Sequence, residues 1–170
     1  VTARKPAPSD DPRILPVPLD VTDPEAVPAL AAQARDVSIV INNAGALFPS
    51  PLLEADMADV VATFDTNVFS ALRVARGFAP ILAANGGGAL IDMHSILSWG
   101  AGAAAYGASK AALWSITNSL RVELAPQGTQ VVGVHLGSAD TDMVRHAADE
   151  GGTVRPGRRA HRGHRALTPV

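Results

Sequence analysis

Cysteine is absent from the 170 residues, which excludes a disulfide framework and a thiolate metal site and leaves the redox compartment open. No apolar run is long enough to cross a bilayer, and the N-terminus lacks the basic-then-apolar layout of a signal peptide. A soluble, cytoplasmic protein with no membrane partner is therefore expected. Tyrosine occurs once and lysine twice, so any chemistry resting on either has few places to sit. No aromatic residue interleaves with the arginines that crowd residues 155–165, which argues against nucleic acid as a partner. No set of metal ligands is expected.

What is present fits one globular domain, with 47% hydrophobic residues and enough chain for a sizeable core. The net charge of −2 is unevenly spread. Residues 144–170 carry six Arg against Asp149 and Glu150, a local +4 that leaves −6 for the rest, together with His146, His161 and His164. This shift divides the chain into a domain at 1–143 and a basic tail at 144–170, which has no apolar periodicity and reads as disordered or non-native.

The single tyrosine, Tyr106, lies four residues before Lys110 in Ala105-Tyr106-Gly107-Ala108-Ser109-Lys110. Leu113, Ile116, Leu120, Val122 and Leu124 continue with helical spacing until Pro126 and Gly128. Positions i and i+4 share a helix face, so phenol and ammonium are neighbours. A nearby cation favours the phenolate, and a phenol tuned in this way can exchange protons near neutral pH. An aromatic anchor beside a solvated lysine has the same spacing, so the pair is read with its surroundings.

Taken in order, residues 5–12 are a proline-rich linker, and Ile14, Leu15, Val17 and Leu19 suggest a buried strand at 13–19 ending at Asp20. Thr22 and Glu25 form a capping-box pattern with Pro24 in the first turn of a helix reaching about residue 34. Residues 36–41 form a short apolar strand entering Asn42-Asn43-Ala44-Gly45. A long helix is expected over 56–84, with a possible kink at Pro80 and an end at Asn85-Gly86-Gly87-Gly88. Its apolar residues cover more than one stripe, which predicts burial by the sheet on one side and by a second subunit on the other. Asn67, a poor helix former, sits in its middle. A strand at 89–94 delivers Ser95, with Ser98 as a competing hydroxyl, and a further strand at 129–136 opens on Gly137-Ser138-Ala139-Asp140-Thr141.

Leu19-Asp20-Val21-Thr22-Asp23, Asn42-Asn43-Ala44-Gly45, Asn67, Ser95, Tyr106/Lys110 and Gly137 through Thr141 stand in one order. In that order the chain resembles the short-chain dehydrogenase/reductase family over most of residues 1–143. The resemblance implies an α/β fold, an incomplete Rossmann-type doubly wound parallel sheet with flanking helices, and an oxidoreductase using NADP or NAD. Hydride would pass between the nicotinamide and a small carbonyl or alcohol substrate. Catalytic roles fall to Tyr106 as acid/base, Lys110 as its partner and ribose anchor, Ser95 as substrate clamp, and Asn67 as holder of a water in a proton relay. Cofactor contacts fall to Arg4, which can receive the 2′-phosphate of NADP, to Asp20 and Val21 near the adenine, to Asn43, Ala44 and Gly45 beside the ribose, and to Tyr106, Lys110 and Thr141. Asn42 is mainly structural, and a homodimer or homotetramer is implied.

Three features depart from the family pattern. Ser95 and Tyr106 are eleven positions apart, slightly closer than usual. Leu136 stands where Pro usually precedes the glycine. The family's first strand, Thr-Gly-x-x-x-Gly-x-Gly turn and first helix, which hold the pyrophosphate, would precede Val1, so this chain is expected to have little activity as given. The alternative is a non-catalytic pseudoenzyme or assembly subunit that keeps the dimer helices.

Overall fold

A computed structural model describes residues 1–137. Among these residues five parallel strands form two sheets. β1 (Thr2–Ala3) pairs with β2 (Val17–Pro18), while β3 (Ile39–Asn42), β4 (Gly88–Ser95) and β5 (Thr129–Leu136) form the second sheet in that order. The helices are α1 (Ala26–Gln33), α2 (Met57–Phe64), α3 (Ser70–Ala84) and α4 (Ala104–Leu124). Parallel strands with helical crossovers are the α/β architecture expected.

The strand expected at 13–19 shrinks to two residues, with Ile14 and Leu15 exposed. The prolines explain both its shortness and its survival. Val17 and Leu19 donate their N–H groups to Val1 and Ala3 carbonyls (both 2.9 Å), so the N–H-less Pro16 and Pro18 face the outer edge.

The capping box is not formed. Asp20 Oδ1 accepts from the Thr22 N–H (2.9 Å) and hydroxyl (2.6 Å), Asp23 Oδ1 accepts from the Glu25 N–H (2.9 Å), and α1 starts only at Ala26. Two successive aspartate turns have taken the place of a Thr–Glu exchange.

The helix expected over 56–84 is continuous, but its middle is a π-turn. Asp56 caps it by accepting from the Ala58 N–H (2.8 Å), and residues Asp65–Phe69 widen to π geometry between α2 and α3. Asn85 ends α3, its side-chain amide donating to the Arg35 and Val37 carbonyls (both 2.9 Å). The glycines that follow are required: Gly88 has φ +96°, and a Cβ there would meet the Ser38 carbonyl oxygen at 2.1 Å.

Val40, Leu90 and Val131 form one row across the second sheet, in register and buried. Val74, Phe78 and Leu82 of α3, Leu120 and Leu124 of α4, and Val27 and Ala31 of α1 pack over this row. Among the described residues the helices lie on this face, and Ile39 and Ile41 on the opposite face of β3 are exposed. Burial of the shared row drives the assembly at about 25 cal/mol per Å² of apolar surface. It also fixes β4 and α4 against each other at their functional ends.

Candidate active site

Three side chains, Ser95, Tyr106 and Lys110, converge where β4 ends and α4 begins, and Asn67 joins α4 through Ser109. Ser95 is the last residue of β4 and is buried; its Oγ accepts from the Leu97 N–H (3.2 Å), capping a short 3₁₀ turn at Ile96–Ser98. The competing hydroxyl of Ser98 turns back to the Ser95 carbonyl (2.6 Å) and closes that turn instead.

The short link from Ser95 to Tyr106 is accommodated by backbone contacts. Ala104 adopts φ +45°, and Gly107 has no side chain to keep Leu97 away, since a Cβ there would sit 3.0 Å from the Leu97 carbonyl oxygen. Tyr106 is thereby brought near Ser95, close enough for that hydroxyl to act on the phenol. Burial dominates and lifts the phenol above its ordinary value, with the Ser95 hydroxyl opposing. This corrects the expectation of a lowered phenol: burial sets the direction. The ammonium lies 5.8 Å from the Tyr106 ring centroid and spends a donor on the Met93 carbonyl (2.8 Å). Lys110 is 4% exposed, and burial pushes it down to about 8, with the Asp92 carboxylate opposing.

Asn67 sits in the π-turn, fully buried. Its Oδ1 accepts from the Ala46 N–H (2.7 Å), and its Nδ2 donates to the Ala46 carbonyl (2.9 Å) and to Ser109 Oγ (2.9 Å). Ser109 in turn donates to the Tyr106 carbonyl (2.7 Å). One amide thus clamps the loop after β3 to the turn of α4 that carries Tyr106 and Lys110. Its side-chain hydrogen-bonding groups are engaged with protein, which the expected water-holding role did not include.

Asn43 and Ala44 are exposed and Gly45 half-buried, at the carboxyl end of β3. Asn42 donates to Asp92 Oδ1 (2.8 Å) and the Ala71 carbonyl (3.3 Å), the structural role expected of it. Arg4 and Asp20 are exposed just beyond β1 and β2, close enough for the guanidinium to lower the Asp20 carboxyl, after the larger effect of its bonds to Thr22. Val21 is half-buried and packs against the core. Thr141 and the tail at 144–170 lie outside the described residues.

Sequence reasoning missed the groups behind the site. Asp92 and His94 of β4 and Thr117 of α4 are buried together. His94 stacks on His135 (4.7 Å between centroids) and His135 on Trp99 (4.2 Å). Polar residues at alternate positions of an otherwise apolar strand were the available signal. Among the described residues no cluster of His, Cys, Asp or Glu could hold a metal, and no helix is long and apolar enough to cross a membrane.

Parallel strands with a hydroxyl and small residues at their carboxyl ends, beside a tyrosine and a buried lysine from the following helix, fit the class of α/β folds whose ligand sites lie along that edge. The comparisons with known proteins narrow the class. The short chain dehydrogenase family matches residues 2–151. The chain is 36% identical over 132 residues to an NADPH-dependent 1-acyldihydroxyacetone phosphate reductase of Schizosaccharomyces pombe, covering 74% of this chain and 44% of the relative. It is 40% identical over 138 residues to a 1-deoxy-11-beta-hydroxypentalenate dehydrogenase of Streptomyces exfoliatus, covering 76% and 50%. A short chain dehydrogenase from Burkholderia cenocepacia, solved in complex with NADP, superposes with a TM-score of 0.81 at 36% identity, covering 91% of this chain and 74% of that one. This protein belongs to the short-chain dehydrogenase family. It spans about half the length of the curated relatives it matches.

Proposed function

We propose that the chain carries the acid/base half of an NAD(P)-dependent oxidoreductase that interconverts a carbonyl and an alcohol. The observation that carries this reading is the convergence of Ser95, Tyr106 and Lys110 at the carboxyl end of β4. The donor set suits a dinucleotide: a guanidinium and a carboxylate beyond β1 and β2, an exposed run of small residues after β3, and a buried ammonium beneath the phenol. The bound dinucleotide supplies the two-electron donor or acceptor.

The remaining work falls to this chain's side chains. The Ser95 hydroxyl orients the substrate oxygen and the Tyr106 hydroxyl against each other. In the reductive direction Tyr106 Oη gives its proton to the carbonyl oxygen; in the oxidative direction it takes one back. Lys110 supplies positive charge to the phenolate that reduction leaves and a donor to the cofactor ribose. Asn67 holds the loop carrying Asn43, Ala44 and Gly45 at a fixed distance from these groups. Arg4 offers a planar fork to a 2′-phosphate and so favours NADP over NAD. NADP in the Burkholderia cenocepacia structure and the NADPH dependence of the Schizosaccharomyces pombe relative support that choice.

A second copy of the chain is the proposed partner. Met57, Val61 and Phe69 on the α2 side and Trp114 and Val122 on α4 are exposed apolar residues on two helices that pack against each other. Two such faces related by a two-fold axis cover one another.

The test is oxidation of NADPH by a panel of aldehydes and ketones, with calorimetric binding of NADP and NAD as the second readout. Turnover that survives Tyr106→Phe would remove the mechanism. Binding of NADP without turnover by any panel member would favour a non-catalytic role.

A further inference from the structure

Asp92 is 0% exposed, and a carboxylate so placed is strongly disfavoured unless its charge is balanced. Its oxygens are held by neutral donors. Oδ1 accepts from Asn42 Nδ2, whose other hydrogen goes to the Ala71 carbonyl; Oδ2 accepts from the Thr117 hydroxyl (2.7 Å). Thr117 has one proton and also approaches the Leu113 carbonyl (2.9 Å) and His94 Nε2 (3.1 Å). With that proton on the Asp92 side, His94 carries its hydrogen on Nε2 and donates it to Thr117. Its Nδ1 is then a bare acceptor, and Nδ1 is buried without a partner.

This network contains no cation, so the balance lies elsewhere. The basic groups that act on Asp92, or through it, are His94 on the same strand and Lys110 on α4; His135 of β5 stacks on His94, and Tyr106 lies beside Lys110. Burial first, then His135 and Lys110, push His94 down to about 4, so it is neutral at pH 7. Among the described residues, Lys110 is what remains. Its ammonium donates to the Met93 carbonyl, the residue following Asp92 on β4.

We propose that Asp92 is the buried countercharge of Lys110, fixed by Asn42 and Thr117, and that it acts as a positioning residue by keeping Lys110 an ammonium. Burial acts in the other direction, holding Lys110 at about 8, with Asp92 already opposing. Without the carboxylate, Lys110 becomes a neutral amine over much of the neutral range and cannot stabilise a Tyr106 phenolate. That consequence for turnover rests on the proposed function; the charge pairing does not.

Two lysines make the test direct. In the ¹³C-lysine-labelled 170-residue chain, NMR titration reads Lys110 against exposed Lys5 as an internal control. Asp92→Asn should raise the acid dissociation constant of Lys110 by about tenfold or more and leave Lys5 unchanged. Coupling between two sites is reciprocal. Lys110→Met should therefore make Asp92 easier to protonate by a similar factor, read from ¹³C-labelled aspartate. Should Asp92→Asn fail to fold, as judged by amide dispersion, the Lys110→Met arm decides alone. Lys110 titrating unchanged in folded Asp92→Asn, or Asp92 unchanged in Lys110→Met, overturns the proposal. Neither titration needs cofactor or substrate, so both would stand if the oxidoreductase reading fell.

Discussion

The two sheets hold their candidate residues by opposite means. Around the end of β4 the groups are buried and tied down: Lys110 to the Met93 carbonyl, Asn67 to the Ala46 backbone and the Ser109 hydroxyl, Ser95 to the Leu97 N–H. At the ends of β1 and β2, strands of two residues present Arg4 and Asp20 to solvent, with Asp20 engaged in its own turn. The first arrangement fixes geometry before any ligand arrives, as proton transfer demands. The second leaves charge at the surface, where it selects by electrostatics and is screened by salt.

The sharpest way to break this contrast is Tyr106→Phe, which keeps the ring's packing and removes the hydroxyl. Turnover of NADPH with a carbonyl substrate should fall about 10²- to 10⁴-fold, while urea unfolding changes little. Asn67→Ala should act in the reverse sense. It leaves both polar groups of Ala46 without their partner, removes the donor to the Ser109 hydroxyl, and should cost about 3 kcal/mol in urea unfolding. A loss below about 1 kcal/mol would show that the buried half is less rigid than its bonds suggest.

On the surface half, Arg4→Ala should weaken NADP binding by roughly 1.5–3 kcal/mol and spare NAD, read by calorimetry at low and high salt. Equal losses for both cofactors would show that Arg4 does not read the phosphate. The smallest effect is a pH dependence of the core. His94 titrates near 4 in the folded chain against 6.5 ordinarily, so between those values the unfolded chain binds the proton first. Stability is unaffected above pH 6.5 and is lost as pH falls from 6.5 through 4, by about 2 kcal/mol after screening by solvent. His94→Gln should flatten that limb in thermal unfolding at stepped pH.

Much of this was legible from pattern. Short strand-forming runs located β4 and β5, helical spacing located α4, and the i, i+4 relation put Tyr106 and Lys110 on one face. Pattern gives the face a residue occupies but not the partner it finds there. Thr22 and Glu25 satisfied a capping rule, yet Asp20 and Asp23, shorter and closer to the free N–H groups, captured them first. The pair Tyr106/Lys110 implied a lowered phenol, whereas burial, a property of the whole core, decided the direction. Val21 was assigned to the cofactor by resemblance alone and packs inward. Asp92 was read only as part of an apolar strand, because its partners Asn42 and Thr117 lie fifty residues before it and twenty-five after.

The π-turn at Asp65–Phe69 makes the long helix tolerant of a change in length at one place only. A π-turn is one residue spliced into an α-helix, so removing a residue within it restores plain α geometry and leaves α2 and α3 facing as they do now. Removing one from α2 or α3 would instead turn everything beyond it by about 100° and carry Val74, Phe78 and Leu82 off the sheet. The permissive segment is the one that carries Asn67. A one-residue deletion there would leave a helix in the same register on the sheet, with the clamp between the β3 loop and α4 released: a lesion invisible to circular dichroism and legible in urea unfolding and ligand binding.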